Sequence, residues 1–193
     1  MRTSAASGLQ VQDGSEPIRL DQLSEVLSTC GPNRGGAEPL TRLMNFWRSV
    51  IAQNTRPARQ DLSPSDMIFI LPSLWMVDCT DEGPQRFRLV GTELVSQLGR
   101  DATGQPLVPD EDWRDGVFSN LCQQVLNRRD VVVGQVLLNS HHKDEWVFQG
   151  AAMPLFDATG KVNIVLGGGF LRTGVAGEVS ETLTLIVRPL AID

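Results

Sequence analysis

Residues 113–171, WRDGVFSNLCQQVLNRRDVVVGQVLLNSHHKDEWVFQGAAMPLFDATGKVNIVLGGGFL, decide the fold. Trp113, Val117, Phe118, Leu121, Cys122, Val125 and Leu126 recur at three- and four-residue steps, which predicts a helix with one apolar stripe. Three β-prone runs follow, from Val131 to Asn139, Glu145 to Phe156 and Val162 to Leu171. Their separators, His141-His142-Lys143-Asp144 and Asp157-Ala158-Thr159-Gly160, suit hairpin loops. A long helix feeding an antiparallel meander is an α+β arrangement.

Towards the N-terminus the same texture precedes the helix. Trp75 to Cys79 and Phe87 to Val90 read as a hairpin around the turn Asp81-Glu82-Gly83-Pro84. Thr92 then opens a short helix carrying Leu94, Val95 and Leu98, which Gly99 stops. Earlier still, Leu40, Leu43, Met44, Trp47 and Ile51 mark one stripe on a helix from about Leu40 to Gln53. Residues 1–37 are expected as a flexible segment, with a short helix over Asp21 to Thr29 and a linker at Asn33-Arg34-Gly35-Gly36. Thr182 to Val187 is β-prone and would equally suit an ordered tail.

Composition narrows the function classes. Across 193 residues, 41% hydrophobic and 21% charged residues suit one ordinary buried core. No apolar run reaches the roughly 18–20 residues of a spanning helix, and the N-terminus has no secretion-signal core, so a cytoplasmic protein is expected. A net charge of −6 without a basic stripe argues against nucleic acid. Arg128-Arg129 is an adjacent basic pair at a helix end, where it offsets the helix dipole. Cys30, Cys79 and Cys122 are odd in number and lack CxxC spacing, so they read as reduced thiols rather than a zinc or disulfide framework.

Several local patterns fall in a recognisable order. Phe46-Trp47-Arg48 is followed by Arg56-Pro57-Ala58-Arg59-Gln60-Asp61 with Pro64, then Leu71-Pro72-Ser73-Leu74 and Phe87-Arg88-Leu89-Val90-Gly91-Thr92. Gly99-Arg100-Asp101 with Thr103-Gly104 and Pro154-Leu155-Phe156-Asp157 with Gly160-Lys161-Val162 complete the series. Over residues 38–172 the chain resembles the alphaproteobacterial-type single PAS domain family. The resemblance implies a five-stranded antiparallel sheet of order 2-1-5-4-3 with helices on one face and an extra N-terminal helix. Residues 173–193 would form a C-terminal extension. It further implies a sensory or regulatory module, often dimeric through its N-terminal helix, and brings no catalytic residues.

The usual cofactor handles of that family are missing or misplaced. The segment from Gly99 to Gly104 has no thiol for flavin photochemistry, and the chain has no tyrosine for a phenol-tuned photopigment. The long helix carries no His for haem. His141 and His142 are adjacent and would point apart, so they read as solvated loop residues and no metal site is assigned. Cys122 falls on the apolar stripe, where a thiol is a poor nucleophile, and Asp110-Glu111-Asp112 precedes a helix start, where carboxylates favour the dipole. The glycines 167–169 lie in a strand and lack the rest of a phosphate loop.

What remains is binding. A pocket between helices and sheet would be lined by Phe87, Leu89, Leu94, Leu98, Phe118, Leu121, Cys122 and Met153. These residues suit a small hydrophobic ligand or an ordinary filled core. Leu43, Met44, Trp47 and Ile51 either pack on their own sheet or form a homodimer interface, and the stripe's need for cover favours the dimer. Arg56, Arg59 and Asp61 either tie the helix-to-sheet connector down or form an anion or signal-relay site. No kinase, cyclase or DNA-binding segment is read, so output is expected in trans through a signalling protein, with neither nucleic acid nor membrane as partner.

Overall fold

In the computed structural model, which describes residues 9–14, 16–19, 21–23, 34–80, 83–109, 113–139, 145–171 and 182–191, the strands assemble into one eight-stranded sheet. They are β1 (Leu9–Asp13), β2 (Ile18–Arg19), β3 (Leu74–Asp78), β4 (Arg86–Val90), β5 (Val132–Asn139), β6 (Glu145–Phe156), β7 (Val162–Leu171) and β8 (Thr182–Ala191). The helices are α1 (Arg34–Gln53), α2 (Thr92–Leu98) and α3 (Trp113–Arg128). The strand order is β1-β8-β5-β6-β7-β3-β4, and β2 also pairs with β8.

Within that order the run β4-β3-β7-β6-β5 is antiparallel throughout and contains the five strands expected from the sequence. The expectation of a five-stranded, purely antiparallel sheet is nevertheless corrected. β8 adds to the free edge of β5 in antiparallel register, and β1 and β2 pair with β8 in parallel, which makes the sheet mixed. Leu9–Asp13 and Thr182–Ala191 are thereby built into the sheet. Leu9–Asp13 is paired strand rather than part of a flexible segment, and Ile18 and Leu23 are buried. Of the short helix expected over Asp21 to Thr29, positions 21–23 are helical and the remainder lies outside the described residues.

The sheet is covered on both faces, which corrects the expected one-faced arrangement. On one face, Trp75, Val77, Val132, Val136, Phe148, Ala152 and Val165 pack with α2 and α3. On the other, Leu74, Met76, Val133, Ala151, Met153, Leu155, Ile164 and Leu166 pack with α1. Alternate residues of the same strands enter opposite cores because successive strand side chains point to opposite faces. The nearly unbroken apolar text of β7 follows from burial on both sides.

α1 begins at Arg34, so the glycines expected in a linker open a helix instead, and Pro39 in its second turn forgoes one amide bond. Leu40, Leu43, Met44 and Trp47 are all at most 2% exposed within the single chain. Burial of each such side chain is worth about 1.5–3 kcal/mol, so α1 is a structural layer of its own domain. Gly168 makes room for it: a Cβ there would lie 2.7 Å from Leu43 Cδ2. The stripe read as a dimer interface is thus consumed within the chain at Leu43, Met44 and Trp47, with Ile51 half-buried at its end. Among the described residues no helix is long and apolar enough to cross a membrane.

Candidate functional site

α3 lays its apolar stripe across the sheet where a ligand pocket was expected. Phe118 stands at the centre, edge-on to Trp75 at 5.1 Å, to Phe87 at 5.4 Å and to Phe148 at 6.0 Å between ring centroids. Such T-shaped pairs contribute about 0.5–1.5 kcal/mol each beyond their area. One turn on, Leu121 enters the space left by Gly134, where a Cβ would approach Leu121 Cδ2 to 2.6 Å. Leu94 and Leu98 of α2 are buried in the same cluster.

Six of the eight residues named for a pocket, Phe87, Leu94, Leu98, Phe118, Leu121 and Cys122, therefore meet on one face. Leu89 and Met153 do not: both belong to the core under α1, on the other side of the sheet. Period-two alternation separates them, and the sequence reading had assigned all eight to one face. One polar atom in the aromatic cluster has no partner, the buried indole N–H of Trp75. Its ring takes the space that a side chain at Gly167 would need, since a Cβ there would come within 2.1 Å of it.

Cys79 and Cys122, from β3's end and α3, meet in this core as free thiols joined by a hydrogen bond. Burial pushes the Cys122 thiol well above its ordinary value, and the bond from Cys122 draws Cys79 below it. A thiol held protonated by burial, as Cys122 is, is a poor nucleophile. Cys30, the two histidines and Asp110-Glu111-Asp112 lie outside the described residues. Among the described residues no three His, Cys, Asp or Glu side chains gather as a metal site.

The connector residues Arg56, Arg59 and Asp61 divide by role. Asp61 Oδ2 accepts hydrogen bonds from Asn54 Nδ2 and the Ala58 N–H, both at 2.8 Å. Arg59 Nη1 donates to the Leu62 carbonyl at 3.1 Å, and the Phe156 N–H donates to the Pro57 carbonyl at 2.9 Å. Arg59 and Asp61 thus shape the connector, and Pro57 ties it to the end of β6. Arg56 does something else. It extends over the turn between β6 and β7, where a Cβ at Gly160 would lie 2.7 Å from its Nη1.

That turn is one wall of an open groove of about 650 Å³. Arg56, Arg129 and Lys161 bring three cations to it, and Gln123 and Asn127 of α3 add amide groups. Leu126 and Val162 supply apolar wall, and among the described residues no carboxylate lines it. Arg129 follows the end of α3 with φ +56°, an uncommon left-handed conformation for a residue with a side chain. From there its Nη2 donates to the Gly160 carbonyl and its guanidinium lies 5.8 Å over the Phe156 ring. Asp157 turns inward, its Oδ1 accepting from Thr159 N at 2.8 Å, Thr159 Oγ1 at 2.7 Å and Lys161 N at 3.0 Å. Those bonds hold the Asp157 carboxyl below its ordinary value, the Thr159 side chain first among them.

The adjacent pair Arg128-Arg129 divides in role, with Arg128 in the last turn of α3 where a cation offsets the helix dipole. Arg128 Nη2 pairs with Asp13 Oδ1 at 2.6 Å and fastens β1 to α3, while Arg129 serves the groove. In the sequence Arg129 is legible only as part of a helix end, and Lys161 only as part of the family pattern Gly160-Lys161-Val162. A second ion pair, Arg100 with the almost fully buried Asp115, fastens the segment after α2 to the first turn of α3.

The sheet covered on both faces, α2 after the first hairpin and the long covering helix α3 define an α+β domain. Residues 36–168 match the PAS domain family, and the chain belongs to it. Among solved structures it is similar to the PAS domain of Bordetella pertussis BvgS, at 15% identity over 69% of this chain and 88% of that one. The TM-score there is 0.31, so the assignment rests on the family match. No curated protein matches the chain. PAS domains are in general sensory and regulatory modules.

Proposed function

We propose that this chain is a regulatory PAS module that works with a filled core and signals through its surface to a separate protein. The observation that supports it is the aromatic packing at Phe118, whose ring meets three others edge-on between α3 and the sheet. A signal would then reach the domain through its surface and the layers fastened to it, rather than through a pigment or a flavin. A homodimer built on the Trp47 stripe would require α1 to leave its own sheet, so association would use another face.

Phe118→Ala tests this reading. The wild type should bind neither benzene nor xenon, while the variant opens an apolar cavity that takes up either, at a stability cost of about 3–5 kcal/mol. Stoichiometric uptake of benzene by the wild type would reject the filled core. A second reading, a small polar guest in the core, is favoured by the unpartnered Trp75 N–H. It requires a slowly exchanging water or ligand signal on that indole proton by NMR, and Trp75→Phe should abolish the signal.

A further inference from the structure

We infer that the groove between α3 and the β6–β7 turn is a binding site for a small organic phosphate, independent of whether the core is filled. Three chain segments far apart in sequence deliver Arg56, Arg129 and Lys161 to it. Two of these guanidinium groups converge on one residue: Arg129 bonds the Gly160 carbonyl, and Arg56 Nη1 occupies the space where Gly160 would carry a side chain. Guanidinium groups stay charged at any physiological pH, and like charges held this close repel. Among the described residues no carboxylate forms an ion pair with either arginine.

Neither Asp157 nor Asp130 forms an ion pair with these arginines. Asp157 Oδ1 is spent on its own turn, and Asp130 Oδ1 accepts from the Val131 N–H at 2.7 Å. In a chain whose net charge is −6, Arg56 and Arg129 bring to this groove two guanidinium groups that no described carboxylate pairs, while Asp157 attracts Lys161 beside them. An oxyanion placed over Gly160 would satisfy both guanidinium forks, the pairing for which Arg geometry is suited.

Size and the second wall select the rest of the ligand. About 650 Å³ exceeds what a bare phosphate fills and falls in the ordinary range for small-molecule sites. Leu126 and Val162 offer apolar contact, and the amides of Gln123 and Asn127 offer hydrogen bonds to a polar ring or chain. The left-handed backbone at Arg129 fits the same role, because a strained residue that aims a side chain is a frequent mark of a binding site.

The test is titration of the full chain with AMP, pyrophosphate, adenosine and succinate, followed by calorimetry and by amide shifts of Gly160 and Lys161. AMP and pyrophosphate should bind and shift those amides, AMP more tightly. Arg56→Gln and Arg129→Gln should each weaken binding at least about tenfold, given the worth of hydrogen bonds to charged groups. Asn127→Asp, an exposed helix position whose change leaves both arginines in place, should abolish it by repulsion. Arg48→Gln, on the exposed face of α1, should leave it unchanged. Absence of any shift with AMP and pyrophosphate at millimolar concentration would overturn the site. So would full-strength binding to folded Asn127→Asp. Succinate or adenosine binding as tightly as AMP would overturn the phosphate assignment.

Discussion

Replacing Trp47 by Ala separates two roles for the N-terminal helix. Trp47 is 2% exposed in the single chain, packed in the core beneath α1 with Met44 and Leu43. An aromatic of this size buries about 150–250 Å², which at about 25 cal/mol per Å² corresponds to roughly 4–6 kcal/mol of transfer free energy. The alanine retains part of that, and measured Trp or Phe to Ala losses in cores are about 3–5 kcal/mol. We therefore expect Trp47→Ala to lose about 4 kcal/mol, and hence about 8–16 °C in Tm for a domain of this size. Guanidinium unfolding followed by tryptophan fluorescence and circular dichroism measures the loss, and sedimentation equilibrium on the same sample measures the mass. Arg48→Ala, one residue along on the exposed face of α1, should change stability by less than about 0.5 kcal/mol. If Trp47→Ala unfolded at the wild-type midpoint while its mass fell by half, Trp47 would be an interface residue and the intrachain packing would be refuted.

Gly167→Ala should destabilise the fold by about 1–3 kcal/mol or more through overlap with Trp75, and adding Trp75→Phe should recover part of the loss in a double-mutant cycle. In a Cys30→Ser background, the two core thiols should resist a disulfide reagent in native buffer and both react after denaturation. The Asp157 carboxyl should titrate below its ordinary 3.8 by carbon-detected NMR. Because the folded value is the lower one, its turn contributes stability above pH 3.8 that is lost as pH falls through the folded value, and Thr159→Ala should bring the midpoint back towards 3.8.

Periodicity carried most of the fold. The stripe from Trp113 to Leu126 and the hairpin signals on either side describe α3 and the run β4-β3-β7-β6-β5 from local text alone. The edges were harder, because β1 has only Leu9 and Val11 as apolar residues and gains its place by pairing with β8, more than half the chain away. Two-sided burial left a readable mark that one-faced reasoning passed over. Val131-Val132-Val133 and Ile164-Val165-Leu166 show no polar alternation, as strands covered on both faces should. That omission turned Trp47 into an interface candidate and put Met153 on the wrong side of the sheet. The groove was not legible at all as a site. Arg56 was singled out by a family pattern, but its meeting with Arg129 and Lys161 depends on the Pro57 tie to Phe156 and on a left-handed residue after α3. No spacing in the sequence encodes either.

The central claim is that the core beneath α3 is filled by the protein's own side chains. Native mass spectrometry of the purified full chain, paired with mass analysis of what the protein releases on denaturation, tests it directly. The claim predicts a native mass equal to the polypeptide or a whole multiple of it, and no apolar molecule released in stoichiometric amount. Release of one such molecule per chain, lost in a variant that enlarges the buried Ala152 of the same core, would contradict it.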